Sequence, residues 1–233
     1  MKIGLFGYGK MGQMIDRIAT DRGHDIVCRI DSASGTARFD TMDVAIDFSQ
    51  PDSAVENISQ CLRNGVPVIS GTTGWLDRFE EVTELCVETG GAFLYASNFS
   101  LGMNLFFELN AYLAGLMNGI PGYAVGMTEI HHTRKLDAPS GTAISLAEGI
   151  IANSGYQSWG VTAGDSGTLP VKSERVGETP GTHRIVYDSA VDRIEIQHTA
   201  HNREGFALGA LLAAEWIRGK KGVFEMKDVL NLR

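Results

Sequence analysis

Cysteine is scarce in this sequence, and what there is does not pair: Cys28, Cys61 and Cys86 are widely spaced, and none belongs to a C-x-x-C. An odd, sparse count argues against a disulfide framework and fits a reducing cytosol. The three read as small core hydrophobes. Long apolar runs are missing too. No stretch approaches the roughly 20 residues of a membrane span. The opening Met1-Lys2-Ile3-Gly4-Leu5-Phe6 reaches glycines too soon for a secretory leader. Positive charge is in the minority, with 20 Lys and Arg against 28 Asp and Glu and a formal net charge of −8. That balance argues against a nucleic-acid or anionic-membrane partner, although a local basic cluster can still dominate a cleft. The expected location is the cytoplasm. No repeat or low-complexity tract interrupts the 233 residues, 43% of which are hydrophobic, enough for one large core or two smaller ones.

The first hundred residues alternate short apolar runs with helical stripes. Residues 2–6, 25–30, 44–48, 66–70 and 92–96 read as strands. Between them Met11, Met14, Ile15 and Ile18, then Val55, Ile58 and Leu62, then Phe79, Val82 and Leu85 mark helices, with Pro51 suited to an early helix position. Strict alternation implies a parallel sheet with helices on both faces. The character changes after Asn98. Leu105, Phe106, Leu109, Tyr112, Leu113 and Leu116 predict a long helix, residues 124–131 a strand and 143–152 a helix. Residues 155–181, rich in Gly, Ser and Thr, read mostly as loop. Residues 184–187 and 193–198 read as strands, and Leu208, Leu211, Leu212 and Trp216 as a last helix that can return to the first domain. The expected fold class is α/β: a Rossmann-type parallel-sheet nucleotide-binding domain of residues 1–102 plus 203–233, with a smaller α+β domain, 103–202, inserted.

Gly7-Tyr8-Gly9-Lys10-Met11-Gly12 is a G-x-G-x-x-G set directly between a strand and a helix. Glycines there permit a tight turn and close backbone approach to a pyrophosphate, which the helix N-terminus then favours with free N–H groups and its dipole. Asp31, nineteen residues after Gly12 at the end of the second strand, can hold a ribose 2′-hydroxyl. Its charge disfavours a 2′-phosphate and so favours NADH over NADPH, a bias that Lys10, Ser32 and Ser34 can soften. A glycine turn with a surface aspartate is the plainer reading.

The segment from Glu129 to Thr142, EIHHTRKLDAPSGT, is the most informative. Four basic side chains, His131, His132, Arg134 and Lys135, lie within five positions, after a strand and before a helix opened by Pro-Ser-Gly-Thr. A cationic loop beside free helix N–H groups suits a small dicarboxylate. Gly141 lets a carboxylate approach the backbone, Thr142 adds a hydroxyl, and a histidine can donate a proton near neutral pH. Metal binding competes poorly: adjacent strand histidines face opposite ways, and the spacing of His183, His198 and His201 matches no standard zinc pattern. No metal is expected.

The run E-x-H-H-x-x-K-x-D-A-P-S-G-T resembles the signature of the dihydrodipicolinate reductase family. Asp47-Phe48-Ser49, Gly71-Thr72-Thr73-Gly74, the segment A-x-N-F-S-x-G-x-N beginning at Ala96, and His198 to Ala210 resemble other family segments in order, across nearly the whole chain. The resemblance implies a nucleotide-binding domain, a substrate and tetramerisation domain, a homotetramer, NADH or NADPH as cofactor, and a place in lysine and diaminopimelate biosynthesis. Carried over by residue, it implies that Gly7, Tyr8, Gly9, Lys10, Met11, Gly12 and Asp31 hold the adenosine and pyrophosphate end. Gly71, Thr72 and Thr73, with Ala96, Ser97, Asn98 and Phe99, would position the nicotinamide. His131 matches the proton donor, Lys135 the second donor, and His132, Gly141 and Thr142 the substrate contacts. Two departures concern cofactor preference: many members have one more residue in the glycine turn, and many have a basic residue where this chain has Ser32. Residues 164–175 fit less well and receive no ligand role.

The expected chemistry is hydride delivery to C4 of an unsaturated ring imine and proton delivery at C3. A semialdehyde dehydrogenase would need a nucleophilic cysteine, and the three cysteines fall within strand and helix patterns. A non-catalytic dinucleotide sensor would not need the His-His-x-x-Lys cluster.

Overall fold

A computed structural model describes residues 1–31, 37–161 and 167–232. In chain order the elements are β1 (Lys2–Phe6), α1 (Lys10–Asp21), β2 (Asp25–Ile30), β3 (Val44–Asp47), α2 (Pro51–Arg63), β4 (Val68–Ser70), α3 (Phe79–Thr89), β5 (Ala92–Tyr95) and α4 (Leu101–Met117). They continue with β6 (Ala124–His131), α5 (Gly141–Ala152), β7 (Ser158–Gly160), β8 (Thr168–Arg175), β9 (Thr182–Asp188), β10 (Arg193–Thr199), α6 (Glu204–Ile217), β11 (Gly222–Phe224) and α7 (Met226–Val229). The chain divides into two compact units, Met1–Leu101 with Glu204–Arg233, and Gly102–Arg203.

In the first unit the six strands run in the order β11-β5-β4-β3-β1-β2, every pairing parallel. Parallel strands covered on both faces read as unbroken apolar runs. Ile3 and Leu5 of β1, and Val44 and Ile46 of β3, are accordingly fully buried. One face carries α1 and α6, whose Ile15, Ala19, Ala210, Leu211 and Ala214 join the core cluster of Ile3, Leu5 and Ile46. The other carries α2 and α3 through Val55, Ile58, Leu62 and Val82. Helix α2 starts at Pro51 because proline's missing N–H costs nothing there, and Gln50 and Ser53 close a capping box. The chain leaves β1 to form β2 on one side and returns to place β3 on the other. This reversal opens a crevice at the carboxyl ends of β1 and β3, where ligands of doubly wound sheets bind.

The second unit is a five-stranded mixed sheet, β10-β9-β6-β8-β7. One face buries Val125, Met127, Leu169, Val171, Ile185 and Tyr187 against α4 and α5. Here one sequence expectation is corrected. Residues 155–181 are not loop throughout: they contain β7 and the eight-residue β8, which pairs parallel with β6 from Met127–Val171 to His131–Arg175. The inward positions of β8 begin with Leu169 and Val171 but continue with Ser173 and Arg175, so apolar alternation stops after two residues. Polar residues sit inward because they meet Glu129 and His131, opposite them on β6. Strand β11 and the short α7 gave no periodic signal either.

Candidate active site

The crevice of the first unit is a cleft of about 440 Å³ lined by Gly7, Tyr8, Gly9, Ile30, Asp31, Phe48, Ser49, Gln50, Ser53 and Asn57. Two glycines are required by the backbone. Gly7 sits at φ +90°, and a Cβ on it would lie 2.0 Å from the Phe48 carbonyl oxygen; a Cβ on Gly12 would lie 2.2 Å from the Gly7 carbonyl oxygen. Gly9 is different: its Cβ would enter open space. Gly9 is also the N-cap of α1, and no side chain caps that end. A bare helix N-terminus in a cleft, with no Cβ in the way, fits a pyrophosphate. Asp31 lines the same cleft, Lys10 opens α1 from an exposed position and Met11 is half-buried. Ser32 and Ser34 lie outside the described residues. Sequence reasoning missed what fixes Tyr8: its hydroxyl donates to Asp16 at 2.5 Å, Arg29 donates to the same carboxylate at 2.6 Å, and the guanidinium lies over the Tyr8 ring.

Beside the cleft, Asp47 at the end of β3 is fully buried and accepts from Ser49 Oγ at 2.6 Å, Ser70 Oγ at 2.8 Å, Thr72 Oγ1 at 2.7 Å and Asn57 Nδ2 at 3.3 Å. Burial pushes its carboxyl up, against the downward pull of those four donors. Thr72 Oγ1 also accepts from Ser49 N, and Thr72 O accepts from the Trp75 indole. The Gly71-Thr72-Thr73 turn is thereby tied to the loop after β3, leaving Thr73 exposed. Ala96, Asn98 and Phe99, after β5, are buried, with Phe99 against Phe48, and Ser97 is exposed. Asp47→Ala would leave two buried hydroxyls and their neighbours without an acceptor. The expected loss is about 3 kcal/mol of unfolding free energy, read as a lowered midpoint in urea; a loss under about 0.5 kcal/mol would show that the network does not hold these turns.

In the second unit, β6 sends Glu129 and His131 to the same, inward face because side chains repeat every two residues along a strand. Glu129 is fully buried and His131 nearly so. The His131 Nδ1 is hydrogen-bonded to Glu129 Oε2, and Arg175 Nη1 forms an ion pair with Glu129 Oε1 at 2.9 Å. Burial pushes the Glu129 carboxyl up, but hydrogen bonds from His131, Ser173 and Arg175 outweigh it and hold it down at about 2. His183, on β9, packs edge-on to His131 with ring centroids 5.2 Å apart, its Nε2 3.4 Å from Ser140 Oγ. Burial lowers His183 to about 4, with His131 adding to the effect, so it is neutral at physiological pH. Glu129, His131 and His183 lie close enough to share a metal ion. The Arg175 cation on Glu129 disfavours that use.

The basic loop differs from the sequence expectation in one respect: three of its four basic groups face carboxylates. Arg134 faces Glu178 at 2.5 Å on the surface, Lys135 faces Asp137 at 2.8 Å, and His131 faces Glu129. A turn closed by Lys135 N donating to His132 O brings the Lys135 ammonium back, its side chain 24% exposed. His132 is half-buried. Arg175 braces the loop from below, donating from Nε to Lys135 O at 3.3 Å and from Nη2 to Asp137 O at 2.5 Å. Ser140 caps α5 by accepting from Ala143 N at 3.2 Å. At the start of that helix Gly141 is exposed, with open space where its Cβ would be, and Thr142 is half-buried. The structure thus gathers His131, Lys135 and the α5 N-terminus at one end of the second unit. It adds Glu129, Arg175 and His183, to which sequence reasoning gave no catalytic part.

Two family models cover the chain: dihydrodipicolinate reductase, N-terminus, matches residues 1–99, and dihydrodipicolinate reductase, C-terminus, matches residues 102–230. The chain belongs to the dihydrodipicolinate reductase family. This is a family of enzymes, reductases that draw hydride from NADH or NADPH. A relative from Christiangramia forsetii, a 4-hydroxy-tetrahydrodipicolinate reductase, is 50% identical over 99% of this chain and 98% of its own. Another of the same name, from Neisseria meningitidis, is 36% identical over 82% of this chain and 73% of its own. Among solved structures, the dipicolinate-bound dihydrodipicolinate reductase from Paenisporosarcina sp. TG-14 superposes with a TM-score of 0.79 at 22% identity, covering 97% of each chain, which establishes the shared fold.

Proposed function

We propose that this chain reduces dihydrodipicolinate, formed from 4-hydroxy-tetrahydrodipicolinate, to tetrahydrodipicolinate on the route to diaminopimelate and lysine. The observation that carries the reading is a buried His131 held on a carboxylate, in the same segment as Lys135 and the start of α5, in a member of this family. NADH or NADPH, when bound, supplies the hydride that forms the C4–H bond of the ring. The Gly7–Gly12 turn and α1 N-terminus hold its pyrophosphate, Asp31 its ribose, and the turns at Gly71–Thr73 and Ala96–Phe99 its nicotinamide end. His131 gives a proton to C3 as the electron pair of the ring double bond develops there, so two hydrogens and no net charge are added. Lys135 exchanges Asp137 for a substrate carboxylate, and His132, Gly141 and Thr142 take the rest of the dicarboxylate. The Paenisporosarcina protein's bound dipicolinate, a ring dicarboxylate, supports this substrate class.

Asp31, in the cleft, favours NADH at least as much as NADPH. The free thiols of Cys28, Cys61 and Cys86 fit a cytoplasmic location, and no helix among the described residues is long and apolar enough to cross a membrane. A homotetramer built through the second unit accords with the outer face of its sheet. There Ala124, Val161, Pro170 and Val186 line a groove together with the charged Lys172, Arg184 and Asp188. The test is turnover of freshly made synthase product with NADH and NADPH. Oxidation of either cofactor that depends on the product supports the reading, and none with both overturns it. A hundredfold preference for NADPH would overturn the Asp31 argument alone.

A further inference from the structure

Glu129 lies at the centre of the second unit's polar cluster, yet the proposed chemistry does not use it. It has no solvent contact, and its two oxygens are divided between an imidazole and a guanidinium. In register it faces Ser173 on one side and His183 on the other, while His131 faces Arg175. A buried carboxylate costs several kcal/mol to desolvate, so a site that retains one ionised gains something other than packing.

We propose, on the basis of the reading above, that Glu129 is the positioning residue of the proton donor: it fixes the orientation of the His131 ring and, through Arg175, the seat of the Lys135 loop. A carboxylate at Nδ1 keeps a proton on that nitrogen. The proton that leaves His131 therefore leaves from Nε2, as in other carboxylate–histidine pairs. A Cβ on Gly181 would stand 3.0 Å from Nε2, so the glycine is the residue that puts no side chain against that nitrogen. The second half of the device runs through the guanidinium. Arg175 takes one oxygen of Glu129 and the carbonyls of Lys135 and Asp137 together. One side chain thus sets the two groups of the loop and strand that must act on one substrate.

Glu129 is the only carboxylate hydrogen-bonded to the His131 ring among the described residues. Cations and imidazoles facing the pair are Arg175 from β8, His183 from β9 and Lys135 from the loop. Arg175 and Lys135 are cations and His183 is neutral, which leaves Glu129 as the negative charge beside the His131 ring.

The test uses Glu129→Gln, close in shape but uncharged, and Glu129→Asp, which keeps the charge on a shorter arm, with His131→Gln measured in parallel. For Glu129→Gln the expected result is a kcat lowered roughly tenfold to a hundredfold and a KM for the dicarboxylate changed by less than about threefold. The high-pH limb of the rate profile should move down by about one pH unit, the usual size of losing a neighbouring opposite charge. Glu129→Asp should restore much of the limb position even where it folds less well. The idea is overturned if folded Glu129→Gln keeps wild-type kcat and limb while His131→Gln loses turnover, or, should Gln not fold, if folded Glu129→Asp, whose shorter arm cannot hold the ring in place, keeps wild-type kcat. It is equally overturned if kcat falls with the limb unmoved, the behaviour of a group that merely packs. Retained turnover in His131→Gln would instead sink the catalytic reading of His131, and this inference with it.

Discussion

His131→Gln is expected to lower turnover by roughly 10²-fold or more, the usual scale for losing an acid–base group. The effect should appear in kcat. Glutamine has the reach to remain beside Glu129, but it carries no proton that can be given to carbon near neutral pH. Affinity for the dicarboxylate should change less, because in the proposed site Lys135, His132, Gly141 and Thr142 would still hold it. NADH titration should be unchanged, since the Gly7–Gly12 turn belongs to the other compact unit. The competing expectation is that His131 only fills space beneath the loop. It is 8% exposed and wedged against His183 and Gly181, so a packing role is physically reasonable. In that case the variant would unfold more easily while each folded molecule turned over at nearly the normal rate. Kinetics normalised to folded protein, by circular dichroism or active-site titration, separate the two.

Lys135→Ala is expected to lower affinity and turnover together. The ammonium is a fixed charge beside a dianion site, and in the free protein it rests on Asp137 at 2.8 Å. Removing it leaves Asp137 facing an incoming carboxylate without compensation, so substrate binding loses an attraction and meets a repulsion. KM should rise by roughly tenfold or more, in line with the 1.5–3 kcal/mol of a charge-assisted hydrogen bond. The rate should fall as well, because charge developing in the ring loses its nearest cation. Lys135→Arg should recover part of the affinity and less of the rate, since a guanidinium is longer and planar. An unchanged KM in Lys135→Ala would show that the substrate carboxylates are held elsewhere.

Asp137 also explains why the loop reads differently in the chain and in the fold. Counting side chains gives four cations in residues 131–135 and suggests a strongly positive loop. In the structure Arg134, Lys135 and His131 each have a carboxylate, contributed by Glu178, Asp137 and Glu129. Only Asp137 and Glu129 stand near in sequence, and nothing local says that Glu178 comes alongside. The loop is therefore a set of ion pairs rather than a bare positive pocket, and the proposed substrate would have to re-partner them.

The sequence by itself determined the parallel sheet of the first unit, its glycine turn and its carboxylate at the end of β2. Those features are written in local signals: unbroken apolar runs, 3.6-residue stripes, and glycines where φ or close approach permits nothing else. It also determined which segment carries the histidines and lysine, because they are adjacent in the chain. The tertiary structure alone decided what those groups lean on. Arg175 reaches Glu129 and His131 across 46 and 44 residues only because β8 pairs in parallel with β6, and β8 shows little period because its inward positions are polar where they meet that pair. Asp47 meets Ser70 and Thr72 only when β3 and β4 lie side by side. Apolar periodicity reports how one segment faces a core; a buried polar cluster is assembled from several segments, each of which must break its own period to supply a member.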